Sequence, residues 1–112
     1  MKINLELEIL TFKKVPFIDG EGKNLNLRSV LMEHVGMYKA SSGAEAVKMW
    51  SIGVKLAESS GEIEINSDEV ALIKKALDSP IMAAIIVAQA VNALNEGSII
   101  VEEKTNIRLT RS

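Results

Sequence analysis

The sequence contains no cysteine and only one histidine among its 112 residues. Without thiols the chain has no cysteine nucleophile, no thiolate metal site and no disulfide framework. Zinc sites usually draw three or four ligands from His, Cys and carboxylates, so a single histidine makes such a site implausible. These absences predict that the chain has no catalytic, cofactor-binding or metal-binding residues, and that it is not an enzyme.

Long apolar runs are also scarce. The most apolar stretch, residues 80–91, covers about a dozen residues, whereas a membrane span needs roughly 20. The first six residues alternate apolar and polar side chains, unlike the continuous apolar region of a signal peptide. We therefore expect no membrane partner. With no cysteine to report a redox compartment, a cytoplasmic location is the default expectation.

The sequence lacks an excess of either charge, with a formal net charge of -2. This balance argues against a dedicated nucleic-acid binder, which usually has a basic surface. The hydrophobic fraction of 47% and the length are those of one globular domain, residues 1–112. A mean hydropathy of +0.17 hints that some apolar surface is buried against a partner or a second copy.

Helical periodicity and capping residues predict four helices. Asn26 and Ser42 are candidate N-caps for helices over 27–38 and 43–59. Asn66 with Glu69 three residues later forms a capping box for a helix that ends near Asp78. The fourth helix, Pro80–Asn95, is apolar on nearly every face, which is typical of a central helix.

Alternating patterns predict strands near both ends of the chain. Residues 2–12 alternate, with a bulge or strand end expected near Ile9–Thr11; residues 62–65 and 98–101 are also strand-like. The predicted fold class is α+β, with about four helices around helix 80–95 and short strands from the N- and C-terminal segments. Residues 104–112 either pair with the first strand or form a mobile tail.

The second helix has an apolar stripe that we expect to be buried. It consists of Ala46, Val47, Trp50, Val54 and Ala57. Trp50 is expected to anchor the core, whereas an exposed tryptophan would mark a binding hot spot. The methionines, Met32 and Met49 among them, are expected to fill gaps in the core rather than to line a binding groove.

Two segments resemble sites of known chemistry only in part. His34 is expected to be a partly exposed helical residue, with a general base as the alternative. A Ser29–His34–Asp triad lacks a nucleophile elbow. Residues 19–23 match neither a calcium loop nor a phosphate-binding loop, and a tight turn is expected there.

Charge and small residues suggest two routes to self-association. Acidic side chains concentrate between Glu58 and Glu69, whereas residues 104–112 carry three cations and no acid. These are either solvated surfaces or opposite poles that promote docking. On the fourth helix, alanines four and seven positions apart pack within the chain or form a homodimer seam; the pairs are Ala84 with Ala88 and Ala83 with Ala90.

The chain resembles small phage- or prophage-encoded proteins of unassigned function. The segments that carry the resemblance fall within residues 19–95 and are Leu25–Leu31, Ala46–Leu56, Asp68–Leu77 and Val87–Val91. The resemblance implies an accessory protein of the host cytoplasm, without catalytic residues, that binds phage or host components. We therefore expect a non-catalytic interaction protein, acting in assembly or as a regulator of a host protein. The alternative is a nucleic-acid-associated regulator that uses the helices 42–59 and 66–78.

Overall fold

The fold is α+β and mostly helical. A computed structural model describes the backbone of residues 1–103 and the side chains of residues 1–95. Within this range, four helices accompany a two-stranded antiparallel sheet. The elements in chain order are β1 (Lys2–Asn4), α1 (Leu27–Met37), α2 (Gly43–Glu58), β2 (Glu62–Glu64), α3 (Ser67–Leu77) and α4 (Ala84–Glu103).

The first three helices begin at the caps that the sequence predicts. The side chain of Asn26 accepts a hydrogen bond from the Ser29 N–H at 3.0 Å, and Ser42 Oγ accepts one from the Glu45 N–H at 3.1 Å. Asn66 accepts from the Glu69 N–H at 2.8 Å while the Glu69 carboxylate accepts from the Asn66 N–H at 3.0 Å. Each cap satisfies an N–H group that the first helical turn leaves without an internal partner.

The sheet differs from the predicted one in length and in partners. β1 ends at Asn4, whose side chain accepts a hydrogen bond from the Glu6 N–H at 2.9 Å and turns the chain. β1 pairs with β2, with Ile3 opposite Ile63. The predicted C-terminal strand, residues 98–101, is wrong because the backbone there belongs to α4. An isolated glycine weakens a helix without ending it, and α4 continues through Gly97. The predicted tail, residues 104–112, lies outside the described residues.

Between β1 and α1, three extended segments are joined in a cycle of backbone hydrogen bonds. The Ile9 N–H donates to the Leu25 carbonyl (2.9 Å), the Leu25 N–H to the Phe17 carbonyl (2.7 Å) and the Phe17 N–H to the Ile9 carbonyl (2.9 Å). Turns at Thr11–Val15 and Asp19–Lys23 connect the segments. Ile9 and Leu25 are buried, so the cycle satisfies backbone groups close to the core.

The fourth helix begins later than predicted, at Ala84 instead of Pro80. Before it, the Ile81 N–H donates to His34 Nε2 at 3.2 Å, which ties residues 80–83 to α1 outside the helix. The structure does not confirm a central position for α4. It is α1 that packs against all three other helices, whereas α4 contacts α1, α3 and β1.

α4 is attached to the N-terminal segment by one side-chain amide. Gln89 Oε1 accepts a hydrogen bond from the Leu10 N–H at 3.0 Å, and Gln89 Nε2 donates to the Leu10 carbonyl at 2.7 Å. The amide thus pairs with the backbone as a neighbouring strand would. None of the helices within the described range is long and apolar enough to cross a bilayer.

Ion pairs connect elements that are distant in sequence. Arg28 Nη2 lies 2.5 Å from Glu6, Lys55 Nζ 2.9 Å from Glu69, and Lys75 Nζ 2.8 Å from Glu45. The hydrogen bond from Lys75, with another from the Ser41 N–H, lowers the pKa of the Glu45 carboxyl to about 2. The last two pairs hold α2 against α3.

Candidate interaction surface

α2 carries two apolar faces, and the structure buries only one of them. Its buried residues are Met49, Ile52 and Leu56. The stripe predicted to be buried lies mainly in solvent: Trp50 is 70% exposed and Val47 63% exposed. The prediction that Trp50 anchors the core is therefore wrong. The three long aliphatic side chains at positions 49, 52 and 56 fill the core, and helical periodicity then turns Trp50 outward.

The exposed face of α2 borders an apolar groove between α1 and α2. From α1 and the segment after it, the groove is lined by Met32, Val35 and Tyr38. From α2, Met49, Trp50 and Gly53 belong to the same wall, with Ala46, Val54 and Ala57 along its length. A Cβ atom at Gly53 would meet Val35 Cγ1 at 3.8 Å, so the two helices approach closely at this glycine.

The exposed stripe on α2 is free of charge over its whole length. The residues of this stripe follow the i, i+4, i+8, i+11 spacing of a single helical face; they are Ala46, Trp50, Val54 and Ala57. The charged residues Glu45 and Lys55 of α2 instead pair with Lys75 and Glu69 of α3. An uncharged face next to an apolar groove differs from the solvated side that surface helices usually show.

A second apolar surface lies where the turn at Thr11–Val15, here called the hairpin tip, meets the start of α4. Phe12 is 87% exposed and forms an open groove with Ala84, Ile85 and Ala88. The alanines of this helix therefore divide, since Ala84 and Ala88 face this groove while Ala90 is buried in the core. The methionines divide similarly: Met49 is buried, and Met37 is exposed.

His34 is buried, with 1% of its surface exposed, so the prediction of a partly exposed residue is wrong. Its Nδ1 lies 2.8 Å from the Val30 carbonyl, and its Nε2 accepts from the Ile81 N–H. These contacts fit one neutral tautomer that donates at Nδ1 and accepts at Nε2. Both ring nitrogens thus face backbone groups, and neither faces Ser29 or a carboxylate.

The acidic segment is partly neutralised within the fold. Glu64 accepts a hydrogen bond from the N-terminal amine of Met1 at 2.7 Å, which lowers the pKa of its carboxyl. Glu69 pairs with Lys55. Glu58, Glu62 and Asp68 are exposed and form no ion pair within residues 1–95. The basic segment proposed as the opposite pole, residues 104–112, lies outside the described residues.

The glycine-containing loop forms the tight turn expected there. Asp19 Oδ1 accepts hydrogen bonds from the Glu21 N–H at 2.8 Å and the Lys23 N–H at 3.0 Å. These two bonds lower the pKa of the Asp19 carboxyl. Gly22 has a φ of 83°, a left-handed conformation that glycine adopts at little cost. Across residues 1–95, no three His, Asp or Glu side chains are grouped so as to hold a metal ion.

The surface that sequence reasoning missed has a recognisable signal. α2 contains two overlapping apolar sets, one at positions 49, 52 and 56 and the other at 46, 50, 54 and 57. A helix that packs against the rest of the fold on a single side needs just one of these two apolar sets. The second set predicts an additional apolar face, but the sequence does not indicate which of the two faces is buried.

Comparison with known proteins adds no relative to this description. No family model matches the chain, and neither the curated proteins nor the solved structures contain a match to it.

Proposed function

We propose that the protein is a non-catalytic interaction protein that binds its partner through the groove between α1 and α2. The observation that carries the proposal is the exposed Trp50 beside this groove. Tryptophan is strongly enriched among the residues that dominate binding energy at protein interfaces. The groove supplies the apolar pocket wall that such an anchor residue usually accompanies.

Covering Trp50 would yield a substantial part of a binding free energy. A tryptophan side chain buries on the order of 200 Å², and 70% of this one faces water. At about 25 cal/mol per Å², covering it stabilises a complex by about 3 to 4 kcal/mol before the cost of association. We infer a phage-related role in assembly or in regulation of a host protein, because the sequence resembles small phage proteins.

A photocrosslinking experiment tests the binding surface. The crosslinking amino acid benzoylphenylalanine replaces Ala57, which is exposed and lines the groove on the same face of α2 as Trp50. Irradiation in the cells that express the protein should give an adduct of discrete mass. Adding the substitution Trp50→Ala should remove most of that adduct, because it removes the proposed anchor.

The matched control carries the same crosslinker at Val15, an exposed apolar position in the hairpin tip. This position lies outside the groove and should give no such adduct. The proposal fails if position 57 gives no adduct, or if Val15 gives the same adduct with equal yield.

A further inference from the structure

We propose that residues 80–83, here called the strap, form a pH-sensitive closure that opens when His34 is protonated. The strap joins the end of α3 to the start of α4 and crosses over α1 at His34. None of its four residues lines the groove between α1 and α2, so its opening is independent of the proposed function. Three observations support the closure: the attachment of the strap, the burial of the ring and the absence of a second histidine.

The strap is held to α1 by one hydrogen bond. Pro80 has no N–H group to donate, and the Ile81 N–H donates to His34 Nε2 at 3.2 Å. Among the residues that the structure describes, no other hydrogen bond joins residues 80–82 to another element. The Ala83 carbonyl accepts from the N–H groups of Ile86 and Val87 and so begins α4. Loss of the bond to His34 therefore leaves apolar contacts, such as that of Met82 with the core, to hold the strap.

The bond to the strap requires a neutral imidazole. Nδ1 of His34 lies 2.8 Å from the Val30 carbonyl and must donate to it, which leaves Nε2 as the acceptor for the Ile81 N–H. Protonation places an N–H group on Nε2, so two donors then face each other. Because only 1% of His34 is exposed, water does not reach the charged ring in the closed arrangement. Opening of the strap hydrates the ring and lets the Ile81 N–H bond to water.

No charged side chain contacts the ring, since both nitrogens bond to backbone groups. From Ala84 to Asn95, α4 carries no charge. The titratable side chains of the neighbouring segments are Glu33 and Tyr38 on either side of His34, Glu45 of α2, Lys74, Lys75 and Asp78 at the end of α3, and Asp19 and Glu21 in the turn that shares a cavity with Met82. Carboxyl groups ordinarily titrate near pH 4, and lysine and tyrosine near pH 10. These groups therefore keep their charge in the range where histidine changes its own.

A response between about pH 5 and 8 is specific to His34. Histidine is the side chain whose charge ordinarily changes in this range, and His34 is the only histidine in the chain. The N-terminal amine also ordinarily titrates near neutral pH, but it binds Glu64 of β2 instead of the strap. The closed arrangement belongs to the neutral ring, so acidification favours the open one.

Hydrogen exchange followed by NMR measures the opening of the strap at a single amide. The protection factor of the Ile81 N–H, which corrects for the intrinsic effect of pH on exchange, should fall about tenfold between about pH 7.5 and pH 5.5. The protection of Ile73, a buried residue of α3, should change less than about threefold, because the helices stay folded. The proposal is overturned if Ile81 is unprotected at the higher pH, if its protection changes less than about threefold, or if Ile73 loses protection equally.

His34→Gln tests whether the ring is the titrating group. The glutamine carbonyl can accept the Ile81 N–H but does not take up a proton in this range, so the protection of Ile81 should become independent of pH. Glu33→Gln removes a charge from the adjacent, exposed position on α1 and should leave the wild-type response intact. A folded His34→Gln variant that keeps the pH response would overturn the proposal. If that variant does not fold, the wild-type comparison of Ile81 with Ile73 decides.

Discussion

At the scale of single residues, Lys14 combines an unusual backbone conformation with an exposed position. Its φ of 67° lies in the left-handed region, which costs a residue with a Cβ atom roughly 1 kcal/mol or more. Hydrogen bonds around the hairpin hold it there, since the Lys14 N–H donates to the Thr11 carbonyl at 2.9 Å and the Thr11 N–H donates to the Val15 carbonyl at 2.8 Å. The fold tolerates the strain because the hairpin closes in five residues.

Replacing Lys14 by glycine should therefore stabilise the protein. Glycine adopts the left-handed conformation without a steric cost, and we expect the free energy of unfolding to rise by about 0.5 to 1 kcal/mol. Urea unfolding measures the change. Lys13→Gly removes the same charge from the neighbouring residue, which does not have positive φ. This control should not raise the free energy of unfolding. Equal effects of the two substitutions would contradict the strain argument.

His34 and Trp50 show why single-residue environments were the least predictable feature. Each lies on a helix whose boundaries the sequence gives closely, yet both occupy the opposite environment from the predicted one. His34 is buried because residues 80–83 cross over it and supply the Ile81 N–H. That contact joins positions 47 residues apart, and local periodicity carries no information about it.

At the scale of elements, the start of α3 combines a capping box with an ion pair to the neighbouring helix. Asn66 and Glu69 satisfy each other's backbone N–H groups, and Glu69 also binds Lys55 of α2. Burial alone would raise the pKa of the Glu69 carboxyl, but the hydrogen bonds from Asn66 and Lys55 together lower it. One cap therefore both begins a helix and attaches it to its neighbour.

Removing this cap should cost about 1 kcal/mol of stability. Asn66→Ala leaves the Glu69 N–H without its acceptor, and thermal or urea unfolding measures the loss. Asn66→Asp keeps an oxygen acceptor in place and should retain most of the stability. If alanine and aspartate were equally tolerated, the hydrogen bond to the Glu69 N–H would not be a stabilising interaction.

The predicted element boundaries are correct where interactions between neighbouring residues set them, and wrong where packing between distant residues sets them. The N-caps Asn26, Ser42 and Asn66 are confirmed because capping involves residues three positions apart. The predicted start of α4 is four residues too early because the segment before Ala84 is bound to α1 through Ile81 and His34, a contact between distant residues. The segment 98–101 belongs to α4 although isoleucine and valine favour strands, because extending a helix that has already formed adds one hydrogen bond per residue.

At the scale of the whole molecule, carboxylates in ion pairs make stability depend on pH. Hydrogen bonds from Arg28 and the Gly61 N–H lower the pKa of Glu6, and those from Lys75 and the Ser41 N–H lower that of Glu45 to about 2. An unfolded glutamate has a pKa of about 4.3. The unfolded chain therefore binds protons more readily as the pH falls, and the stabilising contribution present above about pH 5 is lost progressively towards pH 2.

The melting temperature should accordingly fall between about pH 5 and pH 2. Glu45→Gln should make that fall shallower, because one of the groups that binds a proton on unfolding is gone. Glu62→Gln removes an exposed carboxylate without an ion pair and serves as the control. A pH profile of Glu45→Gln that parallels the wild-type profile would show that this ion pair does not contribute.

β1 and β2 can meet only after the chain between them has folded back, because Ile3 pairs with Ile63. Contacts between distant residues carry a larger loop-closure entropy, and folds rich in them form slowly. α1 and α2 are joined by residues 38–42 alone, so their contact closes a much shorter loop. We therefore expect the helix pair that carries the groove to form before the sheet closes. In a chain whose sheet has not yet closed, the apolar stripe of α2 would face water, and we expect such a chain to aggregate more readily than the folded protein.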